Sequence, residues 1–179
     1  MIATRRIADG TVVGLALGTA YALKSYYSRA GFDDLHWILA PTTRLVEHMT
    51  GSVFELEAQQ AFLSRELLFE IVPSCAGVNF MIAMFCSLAC GLVHAQPSVW
   101  RKFAWLAASG VAAYALTIVA NATRIAIAIG LHVMQPSLGV LTPERLHRIE
   151  GIAVYFCFLC VAYGVAAHWT GAQREPAAP

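Results

Sequence analysis

Three residues of this chain fit one chemistry: Cys75 in IVPSCAGVNF, Arg124 in NATRI and His147 in HRIEG. A thiol becomes a strong nucleophile as the thiolate, a form favoured by a helix N-terminus and by a nearby cation. Cys75 sits between a Pro-Ser pair and an Ala-Gly pair, where polar sequence gives way to a long apolar run, so it opens a helix. Arg124 carries a permanent charge and five fixed donors, suited to supporting a thiolate or the oxyanion formed when it attacks a carbonyl. His147 brings an imidazole, which moves protons near neutrality. The reaction class that unites them is acyl transfer through a thioester.

Each residue also has a plainer role open to it. Cysteine is among the most buried residue types, and an arginine near a helix end often only snorkels to the headgroups. His36, His48 and His132 compete with His147 for the proton-carrying part. The pair Cys157 and Cys160 in CFLC suggests redox or metal chemistry, but these thiols follow His147 by ten and thirteen residues. That is roughly 15–20 Å along a helix. Cys86 and Cys90 are similarly far from Cys75, so all four read as small packing residues. Neither a metal site nor a cofactor is expected. The chain has no glycine-rich phosphate loop, no His-Glu-x-x-His helix and no Gly-x-Ser-x-Gly elbow.

The elements that position these residues follow from composition. Of 179 residues, 58% are hydrophobic and 13% charged, which marks a membrane protein, and a net charge of +1 without a basic stripe excludes nucleic acid as a partner. A crossing needs about 20 apolar residues. The expected fold is all-α and multipass, with about four transmembrane helices at Ile7–Leu23, Cys75–His94, Phe103–Ala120 and Gly151–Trp169, in a single integral-membrane domain over residues 1–170. The tail, 171–179, reads as disordered. AYA at 20–22 resembles a signal-peptidase site, so the first span is either a cleaved signal or a retained anchor, and the anchor is favoured. If the dibasic pairs Arg5-Arg6 and Arg101-Lys102 stay in the cytoplasm, the later spans run inward, outward and inward. Cys75, Asn121, Arg124 and His147 then reach the outer surface together. Between the first two spans, APTTRLVEHMTG predicts an interfacial helix from Pro41 to Gly51, and the alternation around Glu55–Glu57 and Glu66–Ile71 fits a small strand pair leading to Cys75, although the spacing of Glu66 and Glu70 also fits a helix.

CAGVNF, NATRI and HRIEG, in that order and each at the outer end of a span, resemble the exosortase and archaeosortase family, over roughly residues 35 to 165. The resemblance implies a membrane cysteine protease or transpeptidase of the bacterial inner (plasma) membrane, with its site on the extracytoplasmic side. It would cleave a C-terminal tripartite, PEP-CTERM-like sorting signal on exported proteins. In that picture Cys75 is the nucleophile, Arg124 the motif arginine and His147 the catalytic histidine, with Asn121, Gly77 and Asn79 as supporting candidates. The partners are exported proteins bearing such a signal and the lipid bilayer. This chain reads Cys-Ala-Gly where many relatives have Cys-Ser-Gly. Two other classes remain open: a non-enzymatic scaffold or assembly protein, and an intramembrane thiol redox protein.

This topology is open to a direct test. A membrane-impermeant maleimide added to spheroplasts should label the wild-type protein once and Cys75→Ala not at all; equal labelling of both would overturn it.

Overall fold

The computed structural model describes residues 2–57, 60–134 and 143–171, so the expected disordered tail lies outside the described residues except for Gly171. Five helices dominate: α1 (Ile2–Tyr27), α2 (Phe32–Thr50), α3 (Val78–Leu92), α4 (Val99–Met134) and α5 (Pro143–Thr170). Three stretches, Pro73–Ala95, Val99–Met134 and Arg145–Thr170, are long and apolar enough to cross a membrane. The predicted first span is helical within α1 but is not one of these three. The fold is thus an all-α multipass membrane fold with a small sheet.

The chain divides into two compact units. One takes α1 as far as Tyr26, the segment Asn79–Ala115 and α5 from Leu159. Here α1 buries Ala8, Val12, Ala16 and Ala20, spaced four apart and therefore on one helical face. Two polar links fasten this helix. Asp9 pairs with Lys102 of α4, and Lys24 donates to Asn79 Oδ1 of α3 at 2.7 Å. Lys102 is only 1% exposed, and its Nζ also donates to the Val93 carbonyl at 3.0 Å. The indole of Trp105 in α4 donates to the Leu88 carbonyl of α3 at 2.9 Å. The sequence counts Lys102 as half of a solvated dibasic pair, but the structure leaves only Arg101 exposed there. A charge-counting rule cannot foresee that a lysine will find a carboxylate on another helix.

The other unit holds Tyr27–Val78 and Leu116–Phe158. Its α2 begins at Phe32, nine residues before the predicted start at Pro41. Asp33 and Asp34 lie in the first turn, where they complement the helix dipole, and Asp34 accepts from the Gly31 amide at 3.1 Å. Pro41 lies inside the helix, which tolerates one lost i→i−4 bond because Leu35, Ile38, Leu39, Thr42, Thr43 and Val46 bury one continuous face. The stop at Gly51 is as expected: φ is 72° and its amide donates to Glu47 O at 2.8 Å.

The expected strand pair is a three-stranded antiparallel meander, β1 (Glu55–Glu57), β2 (Ala61–Ser64) and β3 (Phe69–Ile71), in the order β1-β2-β3. Its central strand, AFLS, has adjacent apolar residues rather than alternating ones, which hid it from a period-two search. Phe62 pairs with Ile71 and Glu55 with Leu63. From β3 the chain passes through extended Val72 into a single 3-10 turn, Pro73–Cys75, closed by Cys75 N to Val72 O at 2.8 Å.

The Asp9–Lys102 pair predicts an asymmetric mutational response. Asp9→Ala strands a buried ammonium and should cost about 3 kcal/mol, whereas Asp9→Leu combined with Lys102→Met removes both charges and should recover most of that loss. Thermal unfolding in detergent reads the difference; equal destabilisation by both variants would contradict it.

Candidate active site

Cys75 does not lie in the first turn of α3, as the sequence suggests. It ends the 3-10 turn, and Ala76 and a left-handed Gly77 (φ 70°) separate it from Val78. The helix N-terminus is therefore one step removed from the thiol, and the nearby cation matters more. Cys75 is half-buried, and all five cysteines are free.

The backbone of this turn is held from α4. Asn121, fully buried, donates from Nδ2 to the Cys75 carbonyl. Its Oδ1 accepts the hydroxyl of Tyr155 in α5 at 2.7 Å. Tyr155 Oη in turn accepts from Arg124 Nη1 at 3.2 Å, and the guanidinium carbon lies 5.6 Å from the centre of the tyrosine ring. Arg124 Nη2 reaches His147 Nε2 at 3.1 Å. A guanidinium has no acceptor, so Nε2 must accept and the imidazole proton sits on Nδ1. That nitrogen faces Glu150 Oε2 at 3.7 Å, beyond hydrogen-bond length. The Glu150 side chain is 8% exposed, and neither of its carboxylate oxygens makes a hydrogen bond among the described residues. The thiol lies within electrostatic reach of both Arg124 and Tyr155.

Two glycines leave the room this cluster needs. A Cβ on Gly77 would stand 3.3 Å from Asn121 Cγ, Thr117 Cγ2 and Tyr155 Oη, and one on Gly151 would stand 3.0 Å from Arg124 Nε. Arg124 therefore lies flat across α5 at Gly151, with Tyr155 one turn further along.

Of the residues singled out in the sequence, Cys75, Gly77, Asn121, Arg124 and His147 come together in one unit. Asn79 belongs to the other unit, bonded to Lys24 of α1. The rival His132 is eight residues past Arg124 on the unbroken α4, with its ring edge-on to Phe69 at 6.4 Å. Tyr155 and Glu150 are the members that sequence reasoning missed, although helical periodicity marks them. His147, Glu150, Gly151 and Tyr155 fall on one face of α5, as Thr117, Asn121 and Arg124 do on α4. Their signal is hidden because Tyr155 lies in an apolar stretch and Glu150 looks like a flanking charge. Among the described residues, no group of three or more His, Cys, Asp and Glu is placed to hold a metal.

Fold and site together define a multipass helical membrane protein with a thiol, a guanidinium and an imidazole supplied by a turn and two helices. The family model described as Transmembrane exosortase (Exosortase_EpsH) matches residues 14–164. The chain belongs to that family, whose general role is transpeptidation or sorting at a membrane. No curated protein and no solved structure matches it.

The glycines supply a test of this geometry. Gly77→Ala should lower stability by about 1–2 kcal/mol through its left-handed φ alone. Gly151→Ala should instead leave the melting temperature near wild type while displacing Arg124, cutting turnover on the order of 10²-fold. An active Gly151→Ala variant would show that the placement of Arg124 against α5 is dispensable.

Proposed function

We propose that this protein is a cysteine transpeptidase or protease that cuts a C-terminal sorting signal from exported proteins through a thioester on Cys75. The observation that carries this reading is the continuous link from Arg124 through Tyr155 and Asn121 to the Cys75 carbonyl, with His147 on the same guanidinium. This link ties the turn that carries Cys75 to a permanent cation.

The chemistry runs as follows. The substrate carbonyl oxygen competes with His147 for the Arg124 Nη2 donor. The lone pair this frees on His147 Nε2 takes the Cys75 thiol proton. The thiolate attacks the carbonyl carbon, and the charge that develops on oxygen is met by the guanidinium. When the intermediate collapses, the C–N bond breaks, the proton on Nε2 passes to the departing amine and the acyl group stays on sulfur. An acceptor nucleophile or water then resolves the thioester, with His147 again taking a proton. Gly77 and Asn121 hold the nucleophile's turn and Glu150 faces the far side of the imidazole.

The substrate class that suits this site is an exported protein with a tripartite, PEP-CTERM-like tail. The hydrophobic helix of that tail would lie among the enzyme's own spans and bring the cleavage motif to the extracytoplasmic surface of the inner membrane. Within the family, this reading extends to a resemblance to exosortase K.

Substitution at the two helix residues tests the assignment. Arg124→Lys should abolish processing of sorted proteins even though the charge is kept, because an ammonium cannot bridge Tyr155, His147 and an oxyanion. His147→Ala should slow processing about 10²- to 10⁴-fold. His132→Ala should leave it near wild type. Robust processing by Arg124→Lys, or greater damage from His132→Ala than from His147→Ala, would refute these roles.

A further inference from the structure

The Tyr155 hydroxyl meets both Arg124 and Asn121. It accepts from Arg124 at 3.2 Å and donates its single proton to Asn121 Oδ1 at 2.7 Å. That order is forced at both ends. The guanidinium can only donate, and Asn121 must turn its amide NH2 toward the Cys75 carbonyl, which leaves Oδ1 to accept. Donors therefore point one way along the whole row, from the charged guanidinium to the backbone of the nucleophile, an arrangement in which each bond polarises the next. Asn121 is fully buried, so without the phenol its Oδ1 loses a donor that water does not readily replace. Arg124 would lose the contact that keeps it over Gly151 rather than turned toward solvent.

We propose that Tyr155 is a positioning residue that sets the spacing between Arg124 and the Cys75 turn, so that the reactivity of the thiol depends on a phenol that need not touch substrate. This rests on the reading of Cys75 as a nucleophile supported by Arg124. It adds a residue of the apolar helix α5 to the machinery and gives the GIAVYFCF stretch a chemical duty beyond crossing the membrane.

The test needs no identified substrate. The full chain, purified in detergent, is treated with iodoacetamide at pH 7, and alkylation of the Cys75 peptide is followed by mass spectrometry, with melting temperature recorded alongside. Tyr155→Phe keeps the ring and removes only the hydroxyl. It should slow alkylation about 10- to 100-fold, the order expected for one hydrogen bond to a charged group. Asn121→Ala interrupts the same row from the other side and should slow it by a similar factor. The double variant should be no slower than either single one, because both cut one chain. Tyr163→Phe, a hydroxyl on the same helix outside the row, should react at the wild-type rate. Wild-type alkylation in Tyr155→Phe, or losses that multiply in the double variant, would overturn the assignment. Arg124→Ala separates the two levels: if it slows alkylation while Tyr155→Phe does not, only the role of Tyr155 fails. If neither slows it, support of the thiol by Arg124 fails as well.

Discussion

A guanidinium that cannot lose its charge and cannot accept a hydrogen bond dictates much of what surrounds it. Arg124 lies in the C-terminal half of a helix that is otherwise suited to hydrocarbon, so its N–H groups need acceptors from the protein. α5 provides two, the hydroxyl of Tyr155 and the imidazole of His147. Close approach requires that α5 carry no side chain at position 151, and the tyrosine that receives the charge needs Gly77 bare beneath its oxygen. The hydroxyl then fixes Asn121, and Asn121 fixes the Cys75 turn. One ionic side chain thereby links the positions of a turn and two helices within a single unit.

The same constraint accounts for the irregular backbone at Cys75. A cysteine inside α3 would have its carbonyl engaged by the helix four residues on. Ending the 3-10 turn at Cys75 and inserting a left-handed Gly77 leaves that carbonyl available to Asn121. The meander and α2 deliver the chain to this turn, and the Glu47 carboxylate, accepting from the Phe54 amide at 2.9 Å, secures the passage from α2 toward β1.

How much of this was legible in the sequence differs by the kind of signal. The long apolar runs announced α3, α4 and α5, since hydrocarbon imposes length and composition together. Gly51 announced the end of α2 because only a residue tolerant of positive φ stops a helix that way. Pro41 misled, because its preference for first turns was outweighed by a buried face that runs through it. The strand AFLS was blurred because its apolar residues are adjacent rather than alternating. Cys75, Arg124 and His147 stood out as reactive types at span ends. Tyr155 and Glu150 did not, because a tyrosine among Val, Phe and Cys and a glutamate beside a glycine gain meaning only when the two helical faces are placed together. Asn79 is near Cys75 in sequence, yet its partner is Lys24 of α1.

The most direct test of the central claim is the covalent state of Cys75 during turnover. Protein taken from actively sorting membranes, quenched in acid and analysed by mass spectrometry, should carry an acyl fragment of an exported protein on the peptide containing Cys75, and hydroxylamine should release it as expected for a thioester. A Cys75 peptide that remains wholly unmodified while sorted proteins are being processed, or an acyl fragment attached to a different residue, would contradict the account.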